Sequence, residues 1–218
     1  MRLSSLLRLN ASLLPGILVI VFSSGCASFR SDRVATPAGW PPSATDAPAD
    51  RPVALLLVTA MNQDNLQCKV PTENERQADY IRASASKAAR ESGLFRQVLS
   101  DASGKSNISY TIDTTIHART EAGVGTMFMA GLCGATLGII PCTISEEFEF
   151  VGVIRDRENT EIFRHGEREH VRSWLHLFMI PAYKVRPDDV YNQMWLDMYR
   201  SFFDRARKSG ALSAPATP

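Results

Sequence analysis

The segment Ala122–Ser145 (AGVGTMFMAGLCGATLGIIPCTIS) runs for 24 residues without a charged side chain or a histidine, and two strongly patterned segments bracket it. Before it, from Asn107 to Arg119, Ile108, Tyr110, Ile112, Thr114 and Ile116 alternate with Ser109, Thr111, Asp113, Thr115 and His117. After it, from Glu146 to Arg157, Phe148, Phe150 and Ile154 alternate with Glu147, Glu149 and Arg155. A period of two marks half-buried strands, and such strands pair as an antiparallel sheet with one wet face. Three readings compete for the segment between them. A transmembrane helix has the required length of about 20 residues, and Gly131, Gly134 and Gly138 resemble a small-residue packing face. Crossing a bilayer would, however, put the two strands on opposite sides and abolish their sheet. A structureless core loop of this size is overlong, because connections above about 12–15 residues are uncommon and usually functional. The third reading is an apolar hairpin turned toward a membrane or a protein partner.

A second apolar stretch, Trp174–Ala182 (WLHLFMIPA), follows a third, highly charged strand expected over Thr160–Ser173, nearer a sheet edge. If the three strands run up, down and up, both apolar stretches leave the same end of the sheet. The polar turn at 156–159 then lies at the other end. This makes Met127, Phe128, Met129, Leu132, Leu137, Ile139, Ile140, Trp174, Leu175, Leu177 and Phe178 the candidate membrane or partner contacts. Soluble monomers rarely expose large apolar patches. The alternative is that the two stretches cover each other as a small second core.

Elsewhere, Val53–Ala60 is a short continuous apolar run, as expected of a strand buried on both faces. Thr72 and Glu75 form a capping-box pattern ahead of a helix whose Ala78, Ile81, Ala85, Ala88 and Ala89 share one face, with Gly93 beyond its end. Phe95–Leu99 reads as a short strand. Pro187 and Asp188 open a last helix with a stripe of Tyr191, Trp195, Met198, Tyr199, Phe202 and Ala206. Its terminal Arg205, Arg207 and Lys208 suit the negative end of the helix dipole. The expected class is α+β: a mostly antiparallel sheet of about four to five strands, two helices on one face, and an apolar hairpin or loop at one sheet end.

The N-terminus carries a different signal. Arg2 and Arg8 precede the short apolar run Leu13–Phe22, and small residues Ser23, Ser24 and Gly25 stand before Cys26. Such a charged start, greasy middle and small-residue end describe a secretory signal over residues 1–25. The ending Val21-Phe22-Ser23-Ser24-Gly25-Cys26 resembles the lipobox of bacterial lipoproteins, with Ser23 where leucine is usual. The resemblance implies a lipid on Cys26, and Ala27 in place of aspartate implies sorting to the periplasmic face of the outer membrane. Two or more acyl chains anchor a protein stably where one does not. Residues 27–52 are rich in Ala, Pro, Ser and Asp, so the lipidated cysteine and residues up to 52 read as a disordered tether reaching ~25–30 Å. The folded domain is then 53–210, and 211–218 a disordered tail.

Removing residues 1–25 takes Arg2 and Arg8 away, lowering Lys+Arg from 24 to 22 against 23 Asp+Glu. No basic excess points to nucleic acid. Of the remaining cysteines, Cys133 and Cys142 are a candidate disulfide in an oxidising compartment, and Cys68 reads as a small buried hydrophobe. His165, Glu167 and Glu169 share one strand face, read as a solvated charged face rather than a cation site. No metal or cofactor is expected. The GxSxG, HExxH, P-loop and dinucleotide patterns are all missing, and Asp188 and Asp189 read as helix N-terminal acids, which together argue against an enzyme.

The run Ala88–Val98 (AARESGLFRQV), the strand start Ser109–Ile112, and the stretches Thr136–Cys142 and Trp174–Pro181 resemble a pattern in small auxiliary and uncharacterised proteobacterial outer-membrane lipoproteins. That resemblance implies an accessory or scaffold role in an envelope assembly, with an envelope protein as partner. A periplasmic lipoprotein binding a lipid or other apolar ligand is the alternative.

Overall fold

The computed structural model describes residues 25–31, 34–43, 51–62, 71–100, 108–121, 123–136, 139–176 and 187–212. The expected signal up to residue 24, Cys68, Leu137, Gly138, residues 177–186 and the tail from 213 lie outside them. The chain order is β1 (Gly25–Arg30), β2 (Val53–Asn62), α1 (Pro71–Glu91), β3 (Gln97–Leu99), β4 (Tyr110–Thr120), α2 (Val124–Ala135), β5 (Cys142–Arg155), β6 (Glu161–His176) and α3 (Pro187–Ser209).

The alternating segments become β4 and β5. Tyr110, Ile112, Thr114 and Ile116 are buried in turn along β4 while the residues between them are half-exposed. The two strands pair antiparallel from Thr111↔Arg155 to Thr120↔Glu146. On its other edge β4 runs parallel to β2, with Ala54 opposite Tyr110. β2 in turn runs parallel to β3, with Val53 opposite Gln97. The α+β class therefore stands, but the sheet corrects the expectation in two respects. It has six strands, in the order β1-β6-β5-β4-β2-β3, and it is mixed rather than mostly antiparallel. The reason is α1: a helical crossover returns the chain to the same end, so the strands it joins run parallel.

β2 is flanked on both edges, and Val53, Ala54, Leu55 and Leu56 are buried in succession. Successive side chains point to opposite faces, so both faces of this strand are covered. α1 buries Ile81, Ala85, Ala88 and Ala89 and ends with Gly93 in the left-handed region at φ 68°. The helix begins at Pro71, which places Thr72 inside the first turn rather than at the cap.

α3 packs through aromatic rings. Phe148 meets Trp195 at 5.0 Å, Phe150 meets Tyr199 at 5.1 Å and Phe202 at 5.6 Å, and Phe202 also meets Phe163 and Phe203. Edge-to-face pairs of this kind add to simple burial. Gly152 makes room for the helix, since a Cβ there would lie 2.4 Å from Phe202. Thr114 and Tyr199 share a buried hydroxyl–hydroxyl hydrogen bond of 3.0 Å.

Part of the expected tether is ordered. Residues 25–30 form strand β1 beside β6, and Ala27, Ser28 and Val34 are buried. Polar contacts hold this strap, which is why a segment poor in aliphatics is ordered. Arg30 donates to Asp197 at 2.6 Å, to Glu169 at 3.3 Å and to the Val34 carbonyl at 2.6 Å. Glu169, fully buried, also accepts from Ser31 Oγ and from the Val34 and His170 amides. Asp197 accepts further from Thr36 and Gln193. Trp40 donates to Glu91, which Arg200 also holds.

The described residues fall into two compact units. One draws on 25–29, 121–145 and 171–190, the other on 30–120, 146–170 and 191–212. The first holds α2 and the apolar stretches; the second holds the aromatic core and the Arg30 network.

Candidate functional site

The apolar segment is built around a helix rather than the expected hairpin or loop. Met, Ala and Leu favour helix, although three glycines in twelve residues oppose it at up to about 1 kcal/mol each. Its start has Gly123 at the cap and no side-chain hydrogen bond there. Thr136 closes its far end: its amide donates to the Leu132 carbonyl at 3.0 Å, its hydroxyl to the same oxygen at 2.8 Å, and Ile140 N returns to that hydroxyl at 3.2 Å.

What distinguishes α2 is how little of it the chain covers. Cys133 is its one buried residue. Val124 is 87% exposed, Phe128 67% and Met127 55%, with Met129 and the following Ile139 also exposed. A Cβ added at Gly125, Gly131 or Gly134 would meet nothing within 4 Å among the described residues.

The strand register shows what shares this end of the sheet. Going up β6, Arg168, His170 and Arg172 contact Glu149, Glu147 and Ser145 in falling order along β5. The two strands are therefore antiparallel, and β6 ends where β5 begins. On its other side, Ser28 Oγ meets Ser173 Oγ at 2.6 Å and Ser31 N donates to the His170 carbonyl. β1 is thus antiparallel to β6, and continuing that register brings Cys26 level with Leu175. The same level on β5 is Cys142, the strand's first residue, and α2 ends at Ala135, seven residues before it.

Of the sequence candidates, Met127, Phe128, Met129, Ile139 and Leu175 are exposed, and Leu132, Ile140 and Trp174 are half-buried. Leu137, Leu177 and Phe178 lie outside the described residues, as does the side chain of Cys26. Val124 and the 45%-exposed Ile144 also belong to the surface and were missed, although both sit inside the uncharged segment. Cys133 and Cys142, the candidate disulfide pair, are both buried. Among the described residues no helix is long and apolar enough to cross a membrane.

The charged face of β6 corrects a second expectation. It is not solvated. Glu169 is sealed under the strap, and Glu167 takes hydrogen bonds from Ser201 and His165 and an ion pair from Arg205 at 3.4 Å. A serine, a histidine and a carboxylate meet here, but in the wrong order for a hydrolase: both partners bond the same glutamate oxygen, whereas a relay needs the histidine in the middle. Among the described residues no group of three ligand-type side chains is placed to hold a metal ion. Burial works to raise the pKa of Glu91, but the hydrogen bonds from Trp40 and Arg200 outweigh it and hold the group below the usual carboxylate value.

No family model matches the chain, and no curated protein matches it either. Among solved structures, it is similar to a neuraminyllactose-binding hemagglutinin homologue from Helicobacter pylori at 9% identity and a TM-score of 0.41, covering 75% of this chain and 84% of that one. It is also similar to a minor lipoprotein from Acinetobacter baumannii, at 12% identity, a TM-score of 0.30, and 75% and 90% coverage. A PelC dodecamer from Paraburkholderia phytofirmans is similar at 8% identity and a TM-score of 0.31, with 82% and 98% covered.

Proposed function

We propose that this chain is an envelope lipoprotein, anchored through a lipid on Cys26 at the periplasmic face of the outer membrane. In this reading it serves as a non-enzymatic accessory or scaffold component of an envelope assembly. The observation that carries the reading is the place of Cys26: it opens the edge strand β1 at the apolar end of the sheet, with no spacer before the fold begins. A lipid there would hold the domain directly on the bilayer surface. The charged residues of the second unit support a structural role, because Glu169, Asp197 and Glu91 are each saturated by donors from the fold itself. An apolar-ligand binder would need apolar side chains turned inward, and α2 turns Val124, Met127 and Phe128 outward.

The test is metabolic labelling with palmitate in a Gram-negative host, followed by separation of inner and outer membranes. The wild-type chain is expected to take up label and band with the outer membrane, and Cys26→Ser to do neither. An unlabelled wild-type chain would refute the anchor. Crosslinking in the intact envelope then identifies the assembly it serves.

A further inference from the structure

We infer that α2 is a second attachment point, a short helix seated in the same lipid leaflet that receives the Cys26 anchor, and that its occupant is phospholipid rather than a protein groove. The inference rests on the lipoprotein reading and names what its apolar end touches. Position is the first ground. Cys26, Leu175 and Cys142 stand at one level on β1, β6 and β5, α2 ends seven residues before Cys142, and all of these belong to the same compact unit. Two strand spacings, roughly 10 Å, separate the anchor strand from Cys142, where the chain leaving α2 re-enters the sheet. A bilayer surface that takes the lipid therefore lies within reach of the helix.

The second ground is the shape of the exposed apolar surface. With 3.6 residues per turn, Met127, Gly131, Val124, Ala135, Phe128 and Leu132 sweep an outward arc of about 140° that contains no polar side chain. A water-facing helix carries its polar residues there. A docking groove covers one stripe of a helix and leaves a polar back, and α2 has none. Lipid covers it from every open side.

Length and construction agree. Twelve residues span about 18 Å, too short for a hydrocarbon core of roughly 30 Å, so α2 dips in rather than crosses. A glycine-rich helix of this length with no side-chain N-cap is marginal in water, whereas an apolar medium forces backbone groups to bond internally. α2 carries no acidic residue in its first turn and no basic residue in its last, so the contact is apolar, not ionic. It should be insensitive to salt and to anionic lipid content.

The experiment places photoreactive benzoylphenylalanine at Phe128, at Ile139 and, as an aqueous control, at exposed Glu158. The full chain is expressed in a Gram-negative host, irradiated in intact cells and analysed by mass spectrometry, with palmitate incorporation measured on the same samples. Phospholipid adducts are expected at 128 and 139, exceeding those at 158 by about tenfold or more, because only an inserted side chain meets acyl chains. They should persist when envelopes are washed in high salt before irradiation. Protein adducts in their place, no adducts, or equal lipid adducts at 158 would each overturn the inference while leaving a palmitate-labelled anchor standing. Lipid adducts without palmitate would instead refute the anchor and leave α2 as a membrane contact in its own right.

Discussion

Arg30→Met keeps an apolar stem of similar length and removes the guanidinium, so it isolates what that charge does for the strap. The guanidinium spans two buried carboxylates, with Asp197 at 2.6 Å and Glu169 at 3.3 Å, and Glu169 has no exposed surface. Removing one partner of a buried ion pair costs about 3–5 kcal/mol when nothing can relax. Here something can: lifting residues 25–43 readmits water to both carboxylates. The cost therefore falls on the opening of the strap, and the aromatic core under α3 is spared. A loss of about 3 kcal/mol corresponds to exchange roughly a hundredfold faster. Native-state hydrogen exchange should show this at the amides of Ser31 and Val34, which bond His170 and Glu169, with Phe202 in α3 changed far less. Adding Glu169→Gln should restore part of the protection, since a neutral amide needs no counter-charge. Unchanged exchange at Ser31 and Val34, or an equal loss of protection there and in α3, would refute the reasoning.

Gly152→Ala should destabilise by about 1–3 kcal/mol or more, because its Cβ would lie 2.4 Å from a Phe202 ring hemmed in by Phe150, Phe163 and Phe203. In thermal unfolding that is a fall of at least several degrees for a domain of this size, and a change within one degree would count against the packing described. Acid should also weaken the second unit. Burial tends to raise the pKa values of Glu91 and Asp204, but hydrogen bonds from Trp40 and Arg200, and from Lys208 and Arg207, leave both lowered in the folded state. Their contribution is present above the unfolded carboxylate value near 4–4.5 and is lost as pH falls through the lower folded values. Denaturation midpoints measured from pH 6 down to pH 3 should drop, and Glu91→Gln should flatten part of that drop; an unchanged slope would count against it.

The parts of this fold that could be read in advance are those where one periodicity dominates. β4 and β5 follow from alternation, α3 from its aromatic stripe, and the end of α1 from Gly93. Local pattern does not state strand direction. β2 and β3 are parallel because α1 carries the chain back, and the alternating strands elsewhere suggested an antiparallel sheet throughout. The uncharged segment was legible as apolar but not as a helix, since glycines at 125, 131 and 134 argue against one by propensity alone.

The strap was hidden for a deeper physical reason. Sequence reading detects order through apolar content, on the principle that a segment unable to bury apolar surface cannot offset its entropy of ordering. Residues 25–43 meet that cost differently, by bringing Arg30, Ser31, Thr36 and Trp40 to carboxylates on β6, α3 and α1. Glu169 also looked ordinary where it stood, as one of several charges on a solvated strand face. Only the tertiary pairing makes these carboxylates buried, and only burial makes the pairing strong enough to order the strap. For the proposed anchor the consequence is that Cys26 would carry its lipid within an ordered strand, with no flexible leash between the two.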